Sequence, residues 1–256
     1  MLEVRSLTKW YGGLMAVTDV SFSLQAGEVL GYVGPNGSGK TSTVNMITGL
    51  IAPTSGEVWF QGRRIDDDLV GYRRHVGCVP EEPHLYTYLS GREHLELVAG
   101  LRSMDHRVAA RRIDALLDLF GLGIHADTSM SSYSKGMRQK VLIAAALLPD
   151  PALLIFDEPL SGLDATSALV FRHLVTELAA RGNAVLYSSH ALESVEKICS
   201  RVLVLHQGRV VAHDEVGRLR TVLQQASLEA VFRQLVCDVD PADTARDLAM
   251  AMQLGG

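Results

Sequence analysis

The sequence predicts an α/β fold: a mostly parallel sheet with crossover helices, a helical insert and a short helical tail. Three observations predict it. Short apolar runs at 28–33, 153–156, 184–187 and 202–205 alternate with helical stretches at about 165–180 and 190–198. That strand–helix–strand order is what a parallel sheet with crossovers requires. A glycine-rich loop leaves the first of these runs and opens a helix pattern. From about 84 to 148 the period is helical throughout, which reads as an insert in the α/β domain.

The elements follow in order. Residues 17–24 alternate, with Val20, Phe22 and Leu24 on one face, and stop at Ala26-Gly27. The run 28–33 stops at Gly34, and a helix is expected after Gly39, with Val44, Ile47 and Leu50 at helical spacing and Gly49 near its end. Pro53-Thr54-Ser55-Gly56 reads as a turn, with strands at 57–60 and 75–79. In the insert, Val108, Ile113, Leu116, Leu117 and Phe120 recur at roughly helical spacing, with turns at Gly121-Leu122-Gly123 and about 128–134. From Gly217 the helical pattern weakens to two short stripes, Leu219, Val222, Leu223 and then Leu228, Val231, Phe232, Leu235. A small helix is expected at 242–254, after Asp240-Pro241. No internal repeat or low-complexity segment is present. The expected organisation is one domain over 1–216, with its insert at about 84–150, and a small helical extension over 217–256.

Composition narrows the function classes. The chain has 256 residues, 47% of them hydrophobic, with 24 basic and 29 acidic side chains and a net charge of −5. Disorder is excluded by the apolar content, and a mildly acidic balance speaks against a general nucleic-acid binder. Cys78, Cys199 and Cys237 are far apart, without CxxC or Cys/His spacing, so neither a disulfide scaffold nor a zinc site is expected. The opening MLEVRSLTKW places charged residues where the apolar core of a signal peptide belongs. The best apolar stretch, 141–156, is cut by Pro149, Asp150 and Pro151, so no bilayer span is expected.

Two motifs carry chemistry. Gly34-Pro35-Asn36-Gly37-Ser38-Gly39-Lys40-Thr41 matches GxxxxGK[ST] between a strand and a helix, the context that motif needs. Its glycines let successive N–H groups curl around phosphate oxygens at a helix N-terminus. Lys40 supplies a point charge for the β- and γ-phosphates, and the Thr41 hydroxyl is offered to Mg²⁺. Leu153-Leu154-Ile155-Phe156-Asp157-Glu158 is an apolar strand ending in two acids. Acids at a strand end are ordinarily solvated, but beside a phosphate loop they fall where α/β sheets place their ligand crevice. Asp157 then holds Mg²⁺, and Glu158 acts as general base on the attacking water.

With these residues in view, the sequence resembles the ATP-binding subunit of an ABC transporter over residues 1 to about 215. Tyr133-Ser134-Lys135-Gly136-Met137 looks like the signature motif of that family, Ser161-Gly162-Leu163-Asp164 its D-loop, His190 its switch histidine, and Tyr11 the aromatic that stacks on adenine. Glu81 stands at the Q-loop glutamine position. The resemblance implies a P-loop NTPase of ABC type, a mixed sheet core with an antiparallel β subdomain and a helical insert. It implies ATP and Mg²⁺ as ligands, with Ser42 joining Tyr11 and residues 34–41 around the nucleotide, and Thr41, Asp157 and Glu81 around the metal. Glu158 and His190 are the implied catalytic residues, Ser134 and Gly136 the residues acting in trans in a head-to-tail homodimer, and Asp164 the D-loop acid. Two departures stand out. The usual Leu-Ser-Gly-Gly-Gln is altered at Tyr133, Lys135 and Met137, and Glu81 is a pure acceptor where a glutamine also donates. Both variants, and the segment Ser227 to Phe232, resemble the branch serving ABC-2 type permeases, which includes drug, sodium and polymer exporters.

The function so implied is ATP hydrolysis coupled to transport, with export favoured, through a separate membrane permease. The groove between insert and core, next to Glu81, receives the permease, and the chain sits peripherally at the cytoplasmic face of the membrane. No nucleic-acid partner is expected. The alternatives are a soluble ABC-type ATPase acting on nucleic acid or ribosomes, against which stand the single cassette and the lack of heptads and zinc spacing, and a nucleotide-sensing subunit without turnover, against which stands Glu158.

Overall fold

A computed structural model of the chain describes residues 1–82, 85–190 and 192–236, together with Arg246 and Met250. The strands are β1 (Leu2–Tyr11), β2 (Leu14–Leu24), β3 (Val29–Val33), β4 (Ser55–Phe60), β5 (Arg63–Arg64), β6 (Val76–Val79), β7 (Leu153–Asp157), β8 (Ala184–Ser188), β9 (Arg201–His206) and β10 (Arg209–Glu215). The α-helices are α1 (Lys40–Ile47), α2 (Leu69–Arg74), α3 (Gly91–Leu101), α4 (His106–Leu119), α5 (Lys135–Leu147), α6 (Ala165–Ala180), α7 (Leu192–Ile198), α8 (Val216–Val222) and α9 (Leu228–Val236). The expected helix at 242–254, Cys237 and the expected start of the insert at His84 lie outside the described residues.

Two sheets result. An antiparallel sheet has the order β2-β1-β4-β5, and a mixed sheet has the order β10-β9-β3-β8-β7-β6. In the mixed sheet β9, β3, β8, β7 and β6 run parallel and β10 returns antiparallel along β9. This is the mixed core with an antiparallel subdomain that the family resemblance implied. Every residue of β3, β7 and β8 is buried, and their alternating side chains fall into two separate cores. Leu30, Tyr32, Leu153, Ile155 and Leu186 face the antiparallel sheet and α1. Val29, Val33, Leu154, Phe156, Val185 and Tyr187 face the α6 and α7 side. The insert, α3 to α5, fills the β6–β7 crossover and has its own core around Leu95, Ile113, Leu117 and Val141.

The helix starts are chemically marked. Ser90 and Glu93 form a capping box on α3, Asp105 caps α4, Ser134 caps α5 and Asp164 caps α6. Several expectations need correction. Leu50 does not belong to α1: the helix ends at Ile47, Gly49 takes φ +69°, and Leu50 is 66% exposed. The Pro53 turn is shorter than expected, because β4 already begins at Ser55. His190 precedes α7 rather than starting it. Strands β1, β5 and β10 and helix α2 were not anticipated. In β2 the alternation slips at Asp19, whose φ of +50° lets both Val17 and Val20 be buried.

Helix α7 lies directly on β3. A Cβ on Gly31 would stand 2.6 Å from Val195 Cγ1 and 3.2 Å from Cys199 Sγ. Gly31→Ala is therefore expected to destabilise the fold by about 1–3 kcal/mol, the usual cost of overpacking. Val195→Ala in the same chain should return part of that loss, which urea unfolding of both singles and the double checks.

Candidate nucleotide-binding site

The site forms because four parallel strands end on one edge. Register pairs Tyr32 with Ser188, Asp157 with Ser188, and Val79 with Phe156. The chain leaving β3 is the glycine-rich loop, β7 ends in Asp157, β8 leads to Ser189 and His190, and β6 leads to Glu81. Carboxyl ends of parallel strands at a change of strand order are where such sheets bind ligands.

Backbone rather than side chain shapes the loop. Gly37 and Gly39 have φ of +76° and +102°, and a Cβ on Gly39 would collide with the Ala16 carbonyl. Gly34 is equally confined, against the Leu205 carbonyl and Ser38 Oγ. Ser38 is buried beneath the loop with its hydroxyl unpartnered among the described residues. Lys40 folds back on the loop, its Nζ donating to Gly34 O at 2.7 Å and Pro35 O at 3.1 Å. An ammonium held by carbonyls at the mouth of a ring of N–H groups is chemically matched to a phosphate chain.

Beside the loop runs a cleft of about 450 Å³ lined by Tyr11, Asn36, Lys40, Thr41, Ser42 and Glu81. Tyr11 is 46% exposed, its hydroxyl donates to Ser42 Oγ at 3.4 Å, and Lys9 Nζ sits 5.3 Å from the centre of its ring. This open aromatic face can stack on a base. Thr41 Oγ1 donates to Glu81 Oε2 at 3.4 Å. Asp157 is 2% exposed. Burial pushes its carboxyl above the usual carboxylate range, with Glu81 and Glu158 adding to the rise and the Ser188 hydroxyl and Lys40 opposing it. Thr41, Glu81 and Asp157 together offer hard oxygen donors with unbalanced negative charge. That set fits Mg²⁺, which takes one or two carboxylates and completes its shell with water and phosphate oxygens. Among the described residues no group of three His, Cys, Asp or Glu is arranged to hold a metal, and none is needed for that mode.

Glu158 adopts φ +48°, a left-handed conformation costing a non-glycine residue about 1–2 kcal/mol. Its N–H donates to Ser188 O at 3.0 Å, which pins the corner. The corner throws the carboxylate toward the end of β8. There Oε1 accepts from His190 N at 2.6 Å and lies 2.8 Å from His190 Nδ1, while Oε2 accepts from Ser189 Oγ at 3.2 Å. Four lone-pair positions on a carboxylate leave room for a water beside these bonds. The Glu158 side chain is 12% exposed and that of His190 is 80% exposed. Ser189 was not singled out from the sequence; its only signal was its place beside His190.

Ser134 and Gly136 line neither the cleft beside the loop nor the one beside His190. Ser134 Oγ accepts from Met137 N at 3.1 Å, capping α5. A Cβ on Gly136 would stand 2.5 Å from Gly162 O, and one on Gly162 would stand 2.7 Å from Lys135 Cγ. Gln139 Nε2 donates to Pro159 O at 3.0 Å. The start of α5 and the loop before α6 are thus locked together, with Asp164 accepting from Ser167 N and Oγ at 2.9 and 2.7 Å. The variant residues have local reasons. Tyr133 is buried in the core of the insert and donates to His125 O at 2.5 Å, and the Lys135 stem covers Gly162.

Comparisons with known proteins agree with this geometry. The family described as ABC transporter matches residues 17–161. The uncharacterized ABC transporter ATP-binding protein all4389 of Nostoc sp. (strain PCC 7120) is 40% identical over 209 residues, covering 80% of this chain and 62% of that protein. The chain therefore spans less than two thirds of that relative's length. Among solved structures, an ATP-binding subunit of an ABC transporter superposes with a TM-score of 0.87 at 35% identity, covering 92% of this chain and 99% of that one. The ATP-binding cassette MJ0796, a dimer in a post-hydrolysis state bound to ADP and Pi, matches with a TM-score of 0.78 at 27% identity, over 84% of this chain and 98% of that one. The phosphate loop, the acid pair at the end of β7 and these matches lead to one assignment: the chain belongs to the ABC transporter family and is one of its ATPase cassettes.

Proposed function

We propose that the chain is the ATP-hydrolysing subunit of a transporter, working as a head-to-tail pair of cassettes that drives a separate membrane permease, with export as the direction. One observation carries the reading. Lys40, Asp157, Glu158 and His190 follow or end the parallel strands β3, β7 and β8, while Ser134 and Gly136 line neither of the clefts at that edge. A second chain is needed to bring the start of α5 onto the nucleotide. The dimeric cassette that this chain resembles supports that arrangement. Export rests on the branch resemblance of Glu81 and the variant signature.

In this reading Tyr11 stacks on the adenine, and the N–H groups of 34–41, with Ser42, hold the phosphate chain. Lys40 trades its two carbonyl partners for phosphate oxygens. Mg²⁺, when bound, would supply charge neutralisation for the phosphates, and Thr41, Asp157 and Glu81 are the residues that would hold it. Glu158 takes the proton of the attacking water, and His190 fixes the direction of the Glu158 carboxylate. Ser134 and Gly136 of the neighbouring copy present the start of α5 to the terminal phosphate.

The permease is proposed to dock in a groove of about 460 Å³ between α2, β6 and the end of α3, lined by Leu50, Val70, Arg73, Arg74, Leu101 and Arg102. Leu50, Val70 and Leu101 are exposed. Arg73 donates to the Thr48 and Gly49 carbonyls and Arg102 to those of Arg73 and Val76. Among the described residues none of the three arginines lies within ion-pair distance of a carboxylate. Exposed apolar side chains framed by unneutralised arginines suit an amphipathic helix with acidic residues. Strand β6 links this groove to Glu81. No helix among the described residues is long and apolar enough to cross a membrane, and peripheral attachment at the cytoplasmic face is part of this proposal.

Three outcomes test the reading. Glu158→Gln should lower phosphate release about 100-fold or more while retaining ATP, and it should shift the chain from monomer to dimer in light scattering when ATP is added. A variant that stays monomeric at high concentration would count against the paired cassette. Asp157→Asn should behave oppositely in stability and activity. Its raised carboxyl pKa means that the folded state binds a proton more tightly than the unfolded one, so stability falls as pH rises from the ordinary aspartate value through the raised one. Removing the charge should then raise the nucleotide-free Tm near neutral pH by about 2–4 °C, the shift that roughly 1 kcal/mol gives a chain of this size. Hydrolysis should be lost in the same variant, and calorimetry beside a phosphate assay checks both. Finally, Arg74→Glu and Val70→Asp should leave hydrolysis by the isolated chain within about twofold of normal. In cells carrying the complete transporter they should release the chain from the membrane fraction, and normal recovery there would remove the groove as the docking surface.

A further inference from the structure

A second cleft, of about 390 Å³, lies on the His190 side of the loop, and one of its walls comes from the end of the described chain. Its lining includes Gly34, Asn36, Glu81, His190 and Leu192, together with Phe232 of α9. Helix α9 is fixed there by a specific clasp. Glu196 of α7 accepts from Arg220 Nη1 of α8 at 2.8 Å and from the N–H of Leu228, the first residue of α9, at 3.1 Å. The carboxylate sits at the start of α9, where Ser227 Oγ also accepts from Ala230 N at 3.2 Å, and adds the favourable dipole interaction. Leu228 and Val231 are fully buried in the core shared with α6 and α7, so α9 has little freedom to turn. Phe232, next to Val231, is half-buried and reaches from that anchored face into the cleft. The His190 side chain is held by Glu158 Oε1 yet is 80% exposed. Helix α7 begins two residues after His190 and is itself seated on β3 over Gly31.

We infer that α9 is a positioning element for hydrolysis: Glu196 anchors it to α7, and Phe232 forms the wall that limits how far the His190 ring and the Glu158 carboxylate can swing. The inference rests on the reading of Glu158 and His190 as the hydrolytic pair. Phe232 touches no reacting atom in this scheme and acts through the residues that do. Gly34 and Asn36 of the nucleotide-binding loop line the same cleft, but the loop is held by its own bonds from Lys40 to Gly34 O and Pro35 O and keeps its shape when the wall is lost. The effect belongs in the chemical step, where a small misplacement is costly.

The test compares the full chain with Phe232→Ala, Phe232→Leu, Glu196→Ala and Glu158→Gln, measuring kcat and KM for ATP from pH 6 to 9 together with Tm. Phe232→Ala and Glu196→Ala are expected to lower kcat about tenfold with KM within about twofold, and to shift the pH dependence of kcat. Phe232→Leu, which keeps most of the bulk, is expected to recover most of the rate and the normal pH profile. Unchanged kcat and pH profile in Phe232→Ala, with Glu158→Gln inactive, would overturn the inference while sparing the reading beneath it. Equal loss in Phe232→Leu and Phe232→Ala, accompanied by a lower Tm in both, would make Phe232 a packing residue only and also overturn it. Hydrolysis surviving in Glu158→Gln would overturn the reading itself.

Discussion

The structure depends on an imbalance of charge at one end of the mixed sheet. Asp157, Glu158 and Glu81 crowd the edge where β7, β8 and β6 finish, and Lys40 is the cation set among them. Burial raises the Asp157 carboxyl, and the two other acids raise it further. An apolar strand-ending residue would pack there at no such cost. The arrangement is tolerable because the strands beneath it are buried along their whole length, so hydrophobic burial on both faces of the sheet offsets the local penalty. Under the proposed function it becomes favourable when Mg²⁺ and phosphate share the space. Proteins commonly place stability losses of this kind at the residues that do chemistry.

The same logic explains the corner at Glu158. A left-handed residue at the end of a parallel strand is strained, and the bond from its N–H to Ser188 O is what holds it. The strain has a geometric return. In an extended conformation the next side chain along β7 would point to the opposite face from Asp157. The turn instead aims Glu158 across β8 at Ser189 and His190, so two adjacent acids serve different partners. Asp157 lies within electrostatic reach of Glu81 and Lys40, and Glu158 bonds to Ser189 and His190.

The sequence made the site more legible than the frame around it. The loop 34–41 and the acids 157 and 158 were readable because backbone chemistry restricts residue types there: glycine where a Cβ collides, Lys and Thr where phosphate and metal are met. The fully buried strands were readable as continuous apolar runs. The strands that were missed carry mixed patterns for physical reasons. In β1, Arg5 and Ser6 are both exposed, and Ser6 has φ +48°, so strict alternation is lost. In β10, an edge strand, no residue is fully buried. Leu50 misled because helical spacing continues past Gly49, where the backbone has already left the helix. The tie between Glu196 and the start of α9 joins residues 32 apart and has no periodic signature at all.

The start of α5 shows how a departure from a family pattern can be accommodated by packing. Three of the five signature positions differ, and each difference has a local explanation in packing: Tyr133 closes the core of the insert, Lys135 covers Gly162, and Met137 packs against the core of the insert. The two retained positions answer to stricter demands. A side chain on Gly136 would meet the Gly162 carbonyl, and Ser134 is where a helix start needs an oxygen acceptor. That acceptor is also the group a second chain's phosphate would replace, since the N–H it satisfies is one of those an anion at the helix start would take. In the single chain the hydroxyl keeps the helix start satisfied. In the proposed pair the phosphate takes over that task, which links the closing of the pair to the presence of ATP without any further moving part.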